Sequence, residues 1–420
     1  MSSVVNEIRK IKRSAKDRGG LLKKIETNLD SAALRWFVSK VSNSEIVVEV
    51  TMDRDRTVDT PKVAELSHAS GKSVVLSIIP TGIACEFGGY AGDAAPITNL
   101  LAGACDYLIT NPNAVNASNF VSIAKNVIYA EGMMIDLFSR GAVNFNLPYS
   151  NRIGLIVEKS PKEDIEHIFN LVNAARAIYG IDIVDVYITK EKVGGRCVKR
   201  PSGAISGTID NPQVVVDACE YLIKKGATAI GITTNIQGLS AEEYTKHFRG
   251  KFPNPVGGAE AIISHLIVDR FRIPAAHAPL INFKGIKGSK IVDARGAGEM
   301  ASTSGLECIL IGLNQAPQIQ EIADIKQRIR DSISINSLMA IVAPAGALGG
   351  IPVMYGDERK IPIIAVRDNK TLLNVTARRL GLQNVIEVNN YTEACGVITA
   401  LKVGVSKEGL YRPLKTLRPH

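Results

Sequence analysis

The sequence is short of the residues that most often announce a chemistry. Its six cysteines, Cys85, Cys105, Cys197, Cys219, Cys308 and Cys395, include no pair close enough for a C-x-x-C metal or redox motif. That excludes a small disulfide-stapled scaffold and reads as a reduced, intracellular chain. There is no H-E-x-x-H, no close H-x-H pair and no EF-hand loop, so no metal site is written in local sequence. Neither G-x-G-x-x-G nor G-x-x-x-x-G-K-[ST] occurs, which removes the usual phosphate-cradling fingerprints. Aromatic residues make up 5% of the chain, with Trp36 the single tryptophan. No aromatic-basic ladder is visible, so nucleic acid is an unlikely partner. No uninterrupted apolar run reaches membrane-spanning length. The first residues, Met1-Ser-Ser-Val-Val-Asn-Glu7, carry no apolar signal core. The expectation is a cytoplasmic protein without membrane contact.

What is present is length, glycine and a moderate positive charge. A chain of 420 residues exceeds one ordinary core and implies two or three domains. The formal charge of +9 biases the protein toward anions, an acidic metabolite as readily as a polymer. Glycine is densest after the apolar run Val74 to Ile79, where Gly82, Gly88, Gly89 and Gly92 interleave with Cys85, Glu86, Tyr90 and Asp93. A strand that ends in such a loop is where open α/β sheets place their sites. Asp106 to Thr110 is a second strand and runs into an amide-rich loop with Asn111, Asn113 and Asn116. Leu338 to Ala343 is a third, followed by Gly346, Gly349 and Gly350.

Capped amphipathic helices alternate with apolar strands along most of the chain. Ser160-Pro-Lys-Glu163 and Ser240-Ala-Glu-Glu243 have the form of helix starts. Ile165, Ile168, Phe169, Val172 and Ala175 form a helical stripe that covers a sheet. Asn369 reads as the cap of a helix to Leu380, and Asn390 as the cap of the last one. The pattern predicts an α/β protein with mostly parallel sheets, flanking helices and a Rossmann-like C-terminal part. It divides into an N-terminal helical and strand region over 1–70, an α/β core with glycine- and asparagine-rich loops over 71–315, and a βαβα section over 316–420. Val4 to Leu22 and Leu22 to Val41 read as helices, the first a basic arm. Lys199, Arg200, Ser202 and Ser206 lie in a glycine-rich hairpin with the composition of an oxyanion site.

Several stretches carry a resemblance. They are Ile79-Pro-Thr-Gly-Ile83, Gly88-Gly-Tyr-Ala-Gly-Asp93, Thr110-Asn-Pro-Asn-Ala-Val-Asn116, Asn151-Arg-Ile-Gly154 and Leu306-Glu-Cys-Ile-Leu-Ile-Gly-Leu-Asn-Gln-Ala-Pro317. From about residue 75 onward the chain resembles a conserved uncharacterised family of cyanobacteria, plant plastids and some archaea. The resemblance implies an intracellular domain of unknown function and carries over no catalytic residues. Gly257-Gly-Ala-Glu-Ala261 is more loosely similar to phosphate acyltransferases of the phosphotransacetylase kind.

The residues support an enzyme that acts on a small anionic metabolite, phosphorylated, carboxylated or acyl, by acid–base or group-transfer chemistry. His277, Glu299 and Asp93 are the acid–base candidates. Gly88, Gly89, Asn111, Asn113, Asn116, Gly346, Gly349 and Gly350 shape the substrate site, and Arg295 pairs with the anion. Cys85 is a candidate nucleophile with His277 as its base, set against a cysteine that only packs under its loop, which is the expected outcome. No resident metal is assigned; the cofactor stays open, with Mg²⁺ compatible with a phosphorylated ligand. The alternative is a non-catalytic nucleotide- or effector-binding protein. A nucleic-acid or structural partner role, resting on the basic arm, comes third. Assembly as a homo-oligomer is compatible with all three.

Overall fold

The computed structural model describes residues 3–13, 20–56, 71–112, 123–238, 240–251, 253–280, 291–301, 305–322, 332–410 and 412–418. It is an α/β protein built on three principal sheets with flanking helices.

The first of these is a six-stranded parallel sheet. Its strands run Val385–Val388, Ile363–Val366, Leu338–Pro344, Val74–Ser77, Tyr107–Thr110 and Val127–Tyr129 from edge to edge. The four inner strands are short, rich in Val and Ile and almost wholly buried, as strands covered on both faces must be. Chain order reverses between Val74–Ser77 and Leu338–Pro344, which makes a topological switch point there. Strands from both sides of the boundary expected near residue 315 share this sheet, so that boundary does not separate two sheets.

A second parallel sheet of four strands has the order Ala275–Pro279, Ala229–Thr234, Arg152–Val157 and Asp182–Ile188. Helix Lys162–Tyr179 covers it with Ile168, Val172 and Ala175, while Phe169 of the expected stripe points outward at 38% exposure. The Ser240 capping box is formed, with Ser240 Oγ accepting from Glu243 N–H (3.2 Å) and Glu243 Oε2 accepting from Ser240 N–H (2.9 Å).

The third sheet is largely antiparallel and corrects the N-terminal expectation. Val4–Lys12 and Ala33–Val41 are strands, both paired with Glu45–Asp53. The helical reading of these segments followed their charge. Burial of Leu34, Trp36 and Val38 at every second position is what decides the structure. The hairpin Gly195–Lys199 and Ile205–Ile209 extends the sheet, and Ile236–Gln237, parallel to Gly195–Lys199, completes its six strands. Arg200 there is not open to an anion: its side chain is buried and pairs with Glu49 (Nε to Oε2, 2.9 Å).

Helix Gly257–Phe271 runs through the middle of the molecule. It packs on the hairpin, on Ala275–Pro279 and on helices Gly132–Arg140 and Pro212–Lys224. Most of its residues are buried, Ser264, His265 and Asp269 among them, so it is enclosed on nearly every side. His265 and His247 are both buried.

Candidate functional site

A cavity of about 210 Å³ opens where the carboxyl ends of the six-stranded sheet meet the other two sheets. Ile78 to Thr81 follow the strand Val74–Ser77, Asn111 and Pro112 follow Tyr107–Thr110, and Glu131 and Gly132 follow Val127–Tyr129. Ala347, Gly349 and Gly350 follow Leu338–Pro344. This is the place at a switch point where open α/β sheets bind ligands. Asn6, Arg35, Trp36, Phe37 and Thr51 of the antiparallel sheet close one wall. Glu260, Ala261, Ser264 and His265 of the central helix form another, beside His277 of the second parallel sheet.

Two histidine–carboxylate pairs face this space. His277 Nδ1 lies 3.3 Å from Glu260 Oε1, and its Nε2 lies 2.9 Å from Thr234 Oγ1. The His277 side chain is fully buried, whereas Glu260 keeps 18% of its side chain exposed. Burial raises the Glu260 carboxyl above its ordinary range, opposed by His277 and reinforced by the charge of Glu299. A carboxyl inclined to keep its proton, beside an imidazole, is the arrangement for general acid–base work. In the second pair, His265 Nδ1 contacts Glu131 Oε1, and its Nε2 lies 2.7 Å from Arg35 Nη1. A guanidinium only donates, so Nε2 is the acceptor and Nδ1 carries the proton given to Glu131. Glu131 also accepts from Ser264 Oγ (3.1 Å) and Met133 N–H (2.6 Å), so it orients the ring.

The residues singled out from sequence fall into two neighbouring groups. His277, Asn111, Gly349 and Gly350 line the cavity. Asn111 has its amide engaged with Ile79, accepting from its N–H (3.2 Å) and donating to its carbonyl (3.1 Å), which fixes the loop. Gly346 packs instead on Thr371 and Leu373. Asn113 and Asn116 lie outside the described residues. Cys85, Gly88, Gly89, Asp93, Arg295 and Glu299 gather around the 85–93 loop and do not line the cavity. Gly88 is required there, since it has φ +93 and a Cβ would fall 2.0 Å from Ile79 Cγ2. Arg295 pairs with Asp293 (3.0 Å) and Glu86 (3.2 Å) and stacks over Tyr90. Glu299 accepts from Ala91 N–H (3.0 Å) and sits 3.4 Å from His247 Nε2 and 3.5 Å from Asn254 Nδ2. Asn254 Oδ1 in turn accepts from Val256 and Gly257 N–H, at the start of the helix that carries Glu260. Among the described residues no group of three or more His, Cys, Asp or Glu side chains is arranged to hold a metal ion. Asn369 does not cap a helix: its side chain joins Phe87 and Tyr391, and the helix is only Ala377–Leu380.

Asp93 is the titrating member of the second group. Burial pushes its carboxyl up to about 7, against the N–H donors of Gly88 and Tyr90. Its Oδ2 is buried without a hydrogen bond. A carboxyl whose folded pKa is raised contributes full stability below its unfolded value and loses it as pH rises through the folded one. Stability is therefore expected to fall between about pH 4 and 7 by an amount on the order of 2 kcal/mol, discounted for partial exposure. Asp93→Asn should flatten that decline in urea unfolding at pH 5 and pH 8; an unchanged slope refutes it.

Cys85 is buried, its Sγ donates to the Phe87 carbonyl (3.2 Å), and burial with Asp93 and Glu86 pushes the thiol up. That environment opposes a thiolate. Mapped iodoacetamide labelling of the native protein is expected to reach the half-buried Cys197 and Cys395 before Cys85. Cys85 as the fastest thiol contradicts the packing role.

Arg35, Glu131, Glu260 and His265 escaped notice as site residues. A signal was present in Gly257-Gly-Ala-Glu-Ala261 for Glu260, and in the polar Ser264-His265 set between Ile262-Ile263 and Leu266-Ile267, which has to be buried and partnered.

Comparison with known proteins agrees with the resemblance and corrects the compartment. Residues 73–411 match the family described as "Protein of unknown function (DUF3326)". An uncharacterized lipoprotein of Synechococcus sp. is 34% identical over 339 residues, covering 79% of this chain and 92% of its own length. That relative's designation as a lipoprotein overturns the cytoplasmic expectation, although among the described residues no helix is long and apolar enough to cross a membrane. No solved structure matches. A match over residues 73–411, with a relative that aligns over most of both chains, makes this protein a member of the DUF3326 family.

Proposed function

We propose that the protein is an enzyme that moves a proton on a small metabolite held in the cavity. The observation that carries this reading is the Glu260–His277 pair at the wall of a preformed, mainly apolar space at the switch point. Glu260 is the group that exchanges the proton, and His277, held by Thr234, takes or returns it. The volume of about 210 Å³ is below that of sites for drug-sized ligands, so the substrate is small. The anionic substrate expected from sequence needs a cation in the cavity; Arg295 is elsewhere, Arg200 at the wall is closed onto Glu49, and Arg35 is there with its side chain 33% exposed. By analogy with the Synechococcus lipoprotein, we place the enzyme's working compartment at a membrane surface.

One observation favours the effector-binding alternative. Both ring nitrogens of His265 and of His277 already have partners, which suits a rigid receptor as well as a catalyst. Turnover separates the two. Incubated with a small-molecule extract and followed by mass spectrometry, the wild type is expected to convert at least one mass into another. Glu260→Gln should slow that conversion by about 10²-fold or more while still retaining the substrate. A molecule that is retained but never converted favours the receptor. Conversion unaffected by Glu260→Gln removes the acid–base assignment.

A further inference from the structure

We propose that the substrate carries a carboxylate and that Arg35 receives it. This rests on the reading of the cavity as a substrate site. Arg35 differs from the other arginines paired with buried carboxylates. In Arg56–Asp269, Arg200–Glu49, Arg270–Asp53 and Arg272–Asp269 the arginine side chain is 7%, 5%, 15% and 14% exposed, that of a closed structural pair, and Arg200 meets the cavity wall closed onto Glu49. Arg35 is 33% exposed while its partner Asp136 is 1%, and it lines the cavity. Its charge therefore faces the space that a ligand fills.

The guanidinium is also aimed. Asp136 flanks the Nε and Nη2 side, its Oδ2 2.8 Å from Nε as an ion pair and its Oδ1 accepting from Nη2 (3.4 Å), and His265 Nε2 takes one proton of Nη1 (2.7 Å). Each terminal nitrogen keeps one N–H that neither bond uses, and two such donors suit the two oxygens of a planar carboxylate. Glu131 fixes the His265 ring. The main chain of Gly132 presses on both partners, since a Cβ there would lie 2.7 Å from His265 Cε1 and 2.9 Å from Arg35 Nη1. A fork held on three sides loses little freedom on binding, which favours a two-point planar ligand over a point charge.

Asp136 is a built-in counter-ion, and an arriving carboxylate has to contend with it. Arg35, His265, Arg140 and Glu131 are the charged and titratable groups around Asp136. Burial raises its affinity for a proton. A proton from solvent taken up by Asp136 as the ligand binds keeps the local charge balanced, and Asp136→Asn should bind the ligand more tightly.

The test uses the full chain and two isosteric pairs, benzoate with benzamide and hexanoate with hexanamide, followed by calorimetry and thermal unfolding. In at least one pair the acid is expected to bind about tenfold more tightly than the amide. Asp136→Asn should strengthen the acid by about threefold or more. Arg35→Lys keeps the charge that Asp136 needs but loses the planar fork, and should weaken the acid about tenfold with the ligand-free unfolding midpoint little changed. Equal binding of acid and amide, or acid binding untouched by Arg35→Lys, overturns the carboxylate and leaves the cavity as a site for another ligand. Failure of both members of both pairs also overturns it, and the Glu260→Gln turnover comparison stands independently of that result.

Discussion

Replacing Gly258 by alanine is expected to destabilise the protein by about 3 kcal/mol or more, whereas Gly396→Ala should be neutral or stabilising. Gly258 opens the central helix and lines the cavity. A Cβ at this position would lie 2.0 Å from the carbonyl oxygen of Ile205 and 2.9 Å from the Cα of Ser206. These are backbone atoms and cannot rotate away. The same Ile205 oxygen would lie 2.0 Å from a Cβ on Gly82, and Ile205 N–H donates to the Gly82 carbonyl (2.7 Å). Three segments from separate parts of the chain are therefore in main-chain contact, and a methyl group at position 258 forces them apart. Gly396 lies inside helix Tyr391–Lys402 with nothing within 4 Å of its would-be Cβ, so alanine there only lowers the entropy of the unfolded chain. Urea unfolding of the two variants measures the contrast. A Gly258→Ala protein within about 0.5 kcal/mol of the wild type would mean that the three segments do not meet as described.

Arg200→Met should cost about 3–5 kcal/mol, because it leaves Glu49 in a buried position without its counter-charge. Arg200 also donates to the Glu7 carbonyl (2.7 Å), so the substitution strips a second acceptor as well. Adding Glu49→Leu to Arg200→Met should recover a substantial part of the loss, since an apolar pair of similar volume removes the stranded charge. The double-mutant cycle by denaturant unfolding checks this. Additive losses would show that the two side chains do not interact.

The sequence revealed most where one physical rule acted alone. Strands such as Arg152–Val157, from Ile153 on, and Ile363–Val366 are short continuous apolar runs because both faces are covered. Helix starts at Ser240 and Asn390 were legible because the cap and its partner glutamate lie within four residues, Glu243 reaching back to Ser240 N–H and Glu393 to Asn389 N–H. Leu21–Thr27 is helical as read, but Val4–Lys12 and Ala33–Val41 misled because their exposed Lys and Arg side chains project from a sheet and look like the polar face of a helix. Asn369 misled because its partners, Phe87 and Tyr391, are distant in sequence. The site was half legible for the same reason. The loops after Val74–Ser77 and Leu338–Pro344 announced themselves through glycine, and His277 through its apolar setting. Arg35, Glu131, Glu260 and His265 come together across three elements, and no local spacing records that meeting.

The crystal structure of the protein soaked with the molecule it retains from a small-molecule extract decides between the two neighbouring clusters. Density within the cavity, in contact with Glu260 and Arg35, is the expected result. Density instead in the 85–93 loop cluster, against Asp93 and Glu299 with the cavity unchanged, would contradict the assignment of the switch-point cavity as the functional site.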